Sequence, residues 1–329
     1  MLFKDHRWNE TISSEEERLV NEILFLTKKY NADNISRTEA YFSFYNRHPE
    51  ITWSFLASMV SRNAGWNMCD LEGEWFTKII EKQSRDELFL TYERANWLIF
   101  QDAFPQLLLY HYSTKMKQPM FHLLRNFYVS NFMEREWACF WKEKQKNQLM
   151  IAQIINEQNV IQQPVIQHPF YKNKVFKSPL FFFQDWLHFS SVLFPTCEGE
   201  LYGASVNGFK SVTKRIDLGK RLANILFDKN LYPLFYEFSS RTVHTGSRHD
   251  YEQYFKNPPK RSTPFLRCTF PYISHQRRDM KDWSRKSSIP KKWTQKSIKH
   301  VHSVKLTDWY ADKQKQIKKC AYLMEFLRL

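Results

Sequence analysis

One stretch of ten residues, SRNAGWNMCD at 61–70, gathers side chains that could bind a small ligand. Arg62 and Asn63 offer hydrogen-bond donors for an anion or a carbonyl group, and Trp66 offers a flat aromatic face. The same letters also fit the turn between two helices. Gly65 would then be the left-handed residue that ends one helix, and the asparagine two residues later would cap the next. The sequence favours the interpretation as a turn, and a ligand-binding pocket remains the alternative.

A second polar pair lies on the strongly apolar segment 87–104. At 100° per residue, Glu93 and Asn96 fall on the same side as its large aromatic residues, which predicts a buried carboxylate at Glu93. A buried charge must be paired or have its pKa raised, and it serves either a structural ion pair or acid–base chemistry. The candidate partners of Glu93 are Arg37, Arg62 and His111. The predicted pocket consists of Arg62, Asn63, Trp66, Glu93 and Asn96.

No motif predicts a metal, a cofactor or a catalytic residue. The loop HTGSRHD at 244–250 could hold a phosphate at a helix start. Ser247 and Asp250 in that loop also have the spacing of a capping box, which accounts for both. The histidines at 300 and 302 fit no zinc signature, and phosphate-loop and dinucleotide fingerprints are absent from the sequence. The sequence therefore assigns no reaction to the pocket.

The strongest physical signal is the uneven distribution of charge. The net charge is +15, and residues 256–329 hold 19 Lys or Arg against 5 Asp or Glu, so nearly all of the excess lies there. Cations neutralise phosphates and tryptophan faces stack on bases, so this region could bind nucleic acid or another polyanion. The opposing interpretation is a solvated basic surface. The predicted polyanion-binding residues are Trp283, Arg285, Lys286, Lys291, Lys292, Trp293, Lys296 and Lys299.

The last predicted helix, which begins at Thr307, could serve either the fold or a membrane. Its lysines cluster in the first turns, and its apolar residues share one face. Such a helix could dock on the rest of the chain or lie on an anionic membrane surface. The apolar face consists of Ile317, Cys320, Leu323, Met324 and Leu327.

The fold class that these patterns predict is all-α. Only seven glycines occur in 329 residues, which argues against sandwiches and barrels because these need many tight turns. Two parts are predicted, a helical body at 1–255 and a basic, tryptophan-containing C-terminal region at 256–329 that packs partly on the body.

Helix boundaries follow from capping residues and prolines. Pro105 is expected to end or kink the helix that starts near Ser84, and residues 162–180, with three prolines, are expected to form an extended connection. Capping-box spacings predict helix starts at Ser14, Ser36, Ser84 and Asn131. Further helices are predicted at 181–194, 209–227 and 231–238.

Cysteine usage and hydropathy indicate a cytoplasmic protein. The five cysteines are an odd number without a C-x-x-C pair, which fits a reducing compartment. No signal peptide is evident, and the longest apolar runs are far too short to cross a bilayer. We therefore expect no transmembrane segment. The oligomeric state is not predictable from these features.

Three stretches resemble the YppC-like family of Bacillus and its relatives, which is classed as a domain of unknown function. They are RTEAYFSFYNRHPEITWSFLASMVSRNAGWNMCDL at 37–71, ERANWLIFQDAFPQLLLY at 93–110 and IINEQN at 154–159. The resemblance covers roughly residues 30–255 and leaves out the basic region. It implies a cytosolic bacterial protein, and it implies no activity and no catalytic residues.

The sequence is compatible with three alternative functions. The first, which the segregated charge favours, is a non-enzymatic protein that binds nucleic acid or another polyanion through residues 256–329. The second is an enzyme or small-ligand binder that uses the pocket around Arg62, Asn63, Glu93 and Asn96. The third is a peripheral membrane or scaffold protein. Steep salt dependence, an abnormal titration of Glu93 and liposome binding are the respective signatures.

Overall fold

The computed structural model describes residues 12–175, 191–205, 208–278, 280–285, 288–295 and 304–327. These residues form a predominantly helical fold, so the all-α prediction is confirmed. The longer helices are α1 Ser14–Tyr30, α2 Asn34–Arg47, α3 Thr52–Leu71, α5 Lys82–Met116, α6 Asn131–Glu143, α7 Lys146–Val160, α9 Val212–Leu226, α10 Tyr232–Arg241 and α14 Thr307–Leu327. The short helices are α4 Phe76–Ile79, α8 Pro169–Lys174, α11 His249–Glu252, α12 Leu266–Thr269 and α13 Lys291–Thr294.

Within the residues that the structure describes, an antiparallel hairpin accompanies the helices. It consists of β1 Ser191–Pro195 and β2 Leu201–Ser205, with Leu193 opposite Gly203. Its position is fixed by α3, because Asn63 accepts a hydrogen bond from the backbone N–H of Leu193 (2.9 Å). The helix predicted at 181–194 is therefore wrong where it overlaps β1, and its residues 181–190 lie outside the described part of the chain.

The core lies where α2 and α3 pack against the long helix α5. Tyr41 on α2 lies within aromatic contact of three rings, at 5.5 Å from Trp53, 5.0 Å from Phe100 and 6.5 Å from Phe104, measured between centroids. All four side chains are buried, and the burial of such large rings contributes strongly to the stability of the core.

Helix α3 is continuous through the stretch 61–70, so the predicted turn is wrong. Gly65 lies inside the helix and does not end it. A β-carbon there would lie 2.3 Å from Oδ1 of Asn34 and 2.7 Å from Nε2 of His244. The glycine therefore lets two other segments approach the helix axis, and this packing outweighs the roughly 1 kcal/mol that glycine costs in a helix interior.

Helix α5 continues past Pro105, so the prediction that this proline ends the helix is wrong, while the alternative of a kink stays a prediction. Pro105 is buried within Lys82–Met116, although proline costs a helix interior about 3 kcal/mol. Residues on both sides of it, including Phe100, Phe104 and Leu107, are packed in the core. Because most helix stability in proteins comes from such packing, the two halves stay joined.

The predicted helix starts are displaced towards the N-terminus. Ser13 with Glu16, and not Ser14, forms the capping box of α1, since the adjacent serines and glutamates fit two registers equally. The N-caps of α2 and α6 are Asp33 and Ser130, in place of the predicted Ser36 and Asn131. Helix α5 starts at Lys82 with no side-chain cap. The helices predicted at 209–227 and 231–238 are present as α9 and α10.

The predicted extended connection at 162–180 is wrong in its first half. A π-helical turn at Gln162–Ile166 and helix α8 occupy it, and residues 176–180 lie outside the described part. Val165 and Ile166 are buried in a cluster with Trp97, so the apolar residues between the prolines pack on α5.

The C-terminal region packs along the helices of the body. Arg277 donates to Asp102 on α5 (3.3 Å), and Ile317 of α14 is fully buried beside α4. The predicted apolar face of α14 is only partly right, since Leu323 and Leu327 are 57% and 69% exposed. The division into two domains stays a prediction. Among the described residues, no helix combines the length and the hydropathy needed to span a membrane.

Candidate functional site

A cavity of about 180 Å³ lies between α2, α3, α5, α7, α9 and β1. Apolar side chains such as Leu56, Val60 and Leu222 form most of its wall. Two of the five predicted pocket residues, Asn63 and Asn96, lie on it. The structure thus places a cavity near the predicted pocket, with a different set of polar residues.

The predicted burial of Glu93 is confirmed, and its partner is Arg37. The guanidinium of Arg37 hydrogen-bonds to Oε2 of Glu93, and both side chains are almost fully buried. His275 lies 3.9 Å from the other carboxylate oxygen, and burial lowers the pKa of this imidazole to about 4, so it stays neutral. Glu93 and Arg37 form a structural ion pair. Arg37 lines the cavity, and Glu93 lies behind it.

The other two candidate partners of Glu93 are engaged elsewhere. Arg62 donates to the carbonyl oxygen of Thr242 (2.8 Å), and its guanidinium carbon lies 5.5 Å from the ring centroid of Phe238. His111 hydrogen-bonds to His48, with 2.9 Å between the ring nitrogens. The proposed grouping of Arg62 with Glu93 is therefore wrong.

The remaining pocket candidates serve the fold or the cavity rim. The amide of Asn63 donates to the carbonyl of Ser191 (3.3 Å) and so holds β1. The amide of Asn96 donates to the carbonyl of Tyr92 on the preceding turn (2.8 Å). Trp66 is buried away from the cavity. The structure does not bring the five candidates into one site.

The loop at 244–250 is a buried structural network. The carboxylate of Asp250 accepts hydrogen bonds from Nε1 of Trp66 (3.0 Å), the backbone N–H of Thr245 (3.0 Å) and Nδ1 of His244 (3.2 Å). Arg248 is buried with Nε 2.7 Å from Asp70, so it is not available to an external phosphate. The predicted capping box is also wrong, because the helix there begins at His249 and Asp250 bonds to other partners.

Glu157 on α7 is a cavity residue that the sequence interpretation missed. Its carboxylate accepts hydrogen bonds from Nε1 of Trp53 (3.2 Å) and from Nε2 of Gln158 (3.0 Å). Within the described chain it has no cationic partner, and burial raises the pKa of this carboxyl to about 7. Its partly accessible surface faces the cavity. The signal was available, because Glu157 lies three residues after the buried Ile154.

Tyr41 and Arg215 are two further polar residues that line the cavity. Tyr41 lines the cavity, and its buried hydroxyl has no hydrogen-bond partner among the described residues. Burial raises its pKa well above the usual value, so it remains a protonated donor. Arg215 on α9 is 2% exposed and bonds to neutral acceptors, including Oε1 of Gln158 (2.8 Å). Burial lowers the pKa of its guanidinium to about 10, and it stays charged at neutral pH.

The stability of the chain should depend on pH through Glu157. Its pKa is raised from 4.5 to about 7 in the folded state, so the folded state retains a proton that the unfolded state releases. The contribution of Glu157 to the stability of the folded chain is therefore greatest below pH 4.5, and it falls as the pH rises to 7. Between pH 5 and pH 8, urea unfolding should show the difference between Glu157→Gln and the wild type growing by about 2 kcal/mol in favour of the variant. The exposed control Glu17→Gln should show no such growth, and a constant difference for Glu157→Gln would contradict the assignment.

The tryptophans predicted to bind polyanions pack on the body. Trp293 is buried and its Nε1 donates to Thr213 (3.0 Å). Nε1 of Trp283 donates to Asn156 (2.9 Å), and its ring packs against Phe132 at 5.5 Å between centroids. Trp293 therefore has no free face on which a base could stack.

The predicted cations of the same region are exposed where the structure describes them. Arg285 lies 3.6 Å from Asp282, and Lys291 and Lys292 extend into solvent. Lys286, Lys296 and Lys299 lie outside the described residues, as do His300 and His302. In the part of the chain that is described, no group of three or more His, Cys, Asp or Glu is placed to hold a metal ion.

The fold and the cavity define a predominantly helical protein with a largely apolar cavity that carries several polar groups. The chain belongs to the family described as "Protein of unknown function (DUF2515)", whose sequence profile matches residues 29–319. The "Uncharacterized protein YppC" of Bacillus subtilis (strain 168) is 46% identical over 310 residues, which cover 91% of this chain and 93% of that protein. No solved structure gave a significant match. The predicted family is confirmed, and the similarity extends into the basic region.

Proposed function

We propose that the cavity binds a small molecule and that Glu157 and Tyr41 contact its polar end. The observation that carries the proposal is that two polar groups on one cavity lack the partners that buried groups normally have. Glu157 has no cation, and the hydroxyl of Tyr41 has no hydrogen bond among the described residues. Buried polar groups without such partners are costly, and they are concentrated at functional sites.

The chemistry of these two groups suits proton exchange with a ligand. A carboxyl with a pKa of about 7 is present in both protonation states near neutral pH, which is what a general acid or base requires. The tyrosine hydroxyl stays protonated and can donate a hydrogen bond to an oxygen of the ligand. The proposal therefore includes an acid–base enzyme as well as a binding protein.

The size and lining of the cavity limit the ligand. Its volume of about 180 Å³ is comparable to that of engineered cavities of about 150 Å³ that take up benzene. The wall is mostly apolar, with polar groups at a few places, as is usual for small-molecule sites. A compact molecule with an apolar body and one polar end fits this lining.

Filling the cavity should abolish binding. Ala95 lines the cavity from α5, and Ala95→Leu adds three carbon atoms to its space. Ligand-observed NMR with a library of small fragments should give hits with the wild type that Ala95→Leu loses. Ala311→Leu on the exposed surface of α14 is the matched control and should keep them. Hits that persist in Ala95→Leu, or a wild type without hits, would refute the proposal.

The exposed cations support a second candidate function, the binding of a polyanion. Lys291 and Lys292 are exposed and lie in the region that carries nearly all of the net charge. Because the indole of Trp293 is buried, such binding would be electrostatic and independent of base sequence.

Charge reversal tests this second function. If Lys291 and Lys292 contact phosphates, their replacement by Glu should weaken DNA binding and reduce the slope of log K against log salt by about 2. Lys28→Glu with Lys29→Glu on α1 gives the same change in net charge and should have a smaller effect. Binding of the same chains to anionic vesicles, measured in parallel, tests the membrane role. If the two double variants weaken DNA binding equally, Lys291 and Lys292 are part of a non-specific basic surface and not of a polyanion site.

A further inference from the structure

We propose that the ligand of the cavity is a small organic carboxylate whose carboxylate group binds beside Arg215. This inference rests on the function proposed above and names the chemical class of the ligand. Its basis is the charge balance around the cavity, the way in which Gln158 links two of its polar groups, and the position of Arg215 at the start of α9.

The first argument is that Arg215 is a buried cation without an anionic partner among the residues that the structure describes. Its guanidinium donates to Oε1 of Gln158 (2.8 Å), the carbonyl of Phe209 (2.7 Å), the carbonyl of Gln158 (3.1 Å) and Oε1 of Gln162 (2.5 Å). All four acceptors are neutral. They use four of the five N–H groups of the side chain, so that one N–H group of Nη1 is left for another acceptor. Among the described residues no carboxylate pairs with it, and burial alone accounts for its lowered pKa.

The second argument is that other buried arginines of the described chain are compensated. Arg37 pairs with Glu93, and Arg248 lies 2.7 Å from Asp70. Arg62, which is not on the cavity, lies in the field of Asp250. Arg37 and Arg215 both line the cavity, and Arg215 differs from all three arginines in lacking a carboxylate partner among the described residues. A buried cation normally requires an anion, and a ligand can supply it.

The third argument is the local field of helix α9. Its first turn contains Lys214 and Arg215 and no acid, although the N-terminal end of a helix is itself positive. Cations at that end are unfavourable unless an anion binds there. The start of α9 and Arg215 therefore act in the same direction and favour a carboxylate in this part of the cavity.

The fourth argument is the orientation of Gln158 between the two charged groups. Its Nε2 donates to Glu157 and its Oε1 accepts from Arg215, so one amide separates the carboxyl from the guanidinium. Glu157 and Arg215 therefore lie on opposite sides of Gln158 on one cavity wall. The polar end of a ligand can therefore lie between Arg215 on one side and Glu157 with Tyr41 on the other, while its body extends along the apolar wall.

The test compares three molecules of the same shape with the wild-type chain: phenylacetate, phenylacetamide and phenethylamine. Isothermal titration calorimetry at pH 7 should show phenylacetate binding at least about tenfold more tightly than the amide, since a hydrogen bond to a charged group contributes about 1.5–3 kcal/mol. Phenethylamine should bind more weakly than either, because its cation would face Arg215.

Variants in and near α9 then test whether Arg215 causes the preference for the carboxylate. Arg215→Gln should reduce the difference between phenylacetate and phenylacetamide to less than about threefold, while Lys229→Gln, an exposed control just after α9, should leave it unchanged. Because Arg215 also joins α9 to α7, circular dichroism must show that the variant is folded, and the wild-type series decides the question if it is not.

Two outcomes overturn the inference. If the amide or the amine binds the wild type as tightly as the carboxylate, the site does not select an anion, although a cavity that binds ligands would remain. If none of the three binds while the fragment library gives hits that are not acids, the class of ligand is wrong. A wild type that binds no fragment at all would instead refute the proposed function.

Discussion

Replacing Glu93 by Leu is expected to lower the free energy of unfolding by about 4 kcal/mol. Arg37 is 1% exposed, and the substitution leaves its guanidinium buried without an anion. Removal of one member of a buried ion pair typically costs about 3–5 kcal/mol for this reason. Urea unfolding of the two chains followed by circular dichroism measures the difference.

Two further variants separate this explanation from simple loss of a side chain. The double variant Arg37→Met with Glu93→Leu removes both charges and should recover at least half of the loss. Glu237→Leu breaks an exposed pair with Arg241 (2.6 Å) and should change stability by less than about 1 kcal/mol. If Glu93→Leu costs no more than Glu237→Leu, the buried pair does not have the role assigned to it.

Replacing Gly65 by Ala is expected to destabilise the fold by about 3 kcal/mol, opposite to the usual effect in a helix. Alanine in a helix interior is normally the better residue by about 1 kcal/mol. Here the new β-carbon would lie 2.3 Å from Oδ1 of Asn34 and 2.7 Å from Nε2 of His244. These two atoms hydrogen-bond to each other (2.8 Å), so the substitution adds overpacking to the loss of a buried bond.

A second glycine provides the control for this prediction. At Gly219 on α9 a β-carbon would meet Cγ2 of Ile154 at 2.7 Å, and the next atoms lie at 3.6 Å or more. Because this is a single apolar contact and no buried hydrogen bond is lost, Gly219→Ala should cost less than Gly65→Ala. Thermal unfolding of both variants measures this, and a Gly65→Ala chain more stable than the wild type would show that the close approach at α3 is not a constraint.

The sequence was sufficient for the fold class and for one buried contact. Helical periodicity placed Glu93 on the apolar side of α5, and Arg37 was among its predicted partners. The burial of Glu93 follows from local periodicity, whereas its pairing with Arg37, 56 residues away, was one of three predicted alternatives. The helices at α9 and α10 followed from the same periodicity.

The continuity of α3 and α5 was not predictable because it depends on distant residues. Gly65 has the local features of a helix end, and only the approach of Asn34 and His244 shows why it lies inside one. Pro105 is likewise held in a helix by packing on both sides. Local rules for Gly and Pro describe isolated helices, and tertiary packing overrides them here.

The composition of the cavity also needed the tertiary structure. Whether a buried group is compensated depends on neighbours from several elements, as the contrast between Arg37 and Arg215 illustrates. The same limit applies to the basic region, where the sequence alone could not show that Trp293 is buried on α9. Residue types indicate which chemistry is available, and packing determines which of it is accessible.

The most direct test of the cavity as the functional site is to dialyse the chain against the small-molecule fraction of a bacterial extract and to identify what it retains by mass spectrometry. The wild type and the Ala311→Leu control should retain at least one compound that Ala95→Leu does not. We expect that compound to be a carboxylate with a compact apolar body. If all three chains retain the same compounds, or none, the cavity between α3, α5, α7 and α9 is a packing defect and not a binding site.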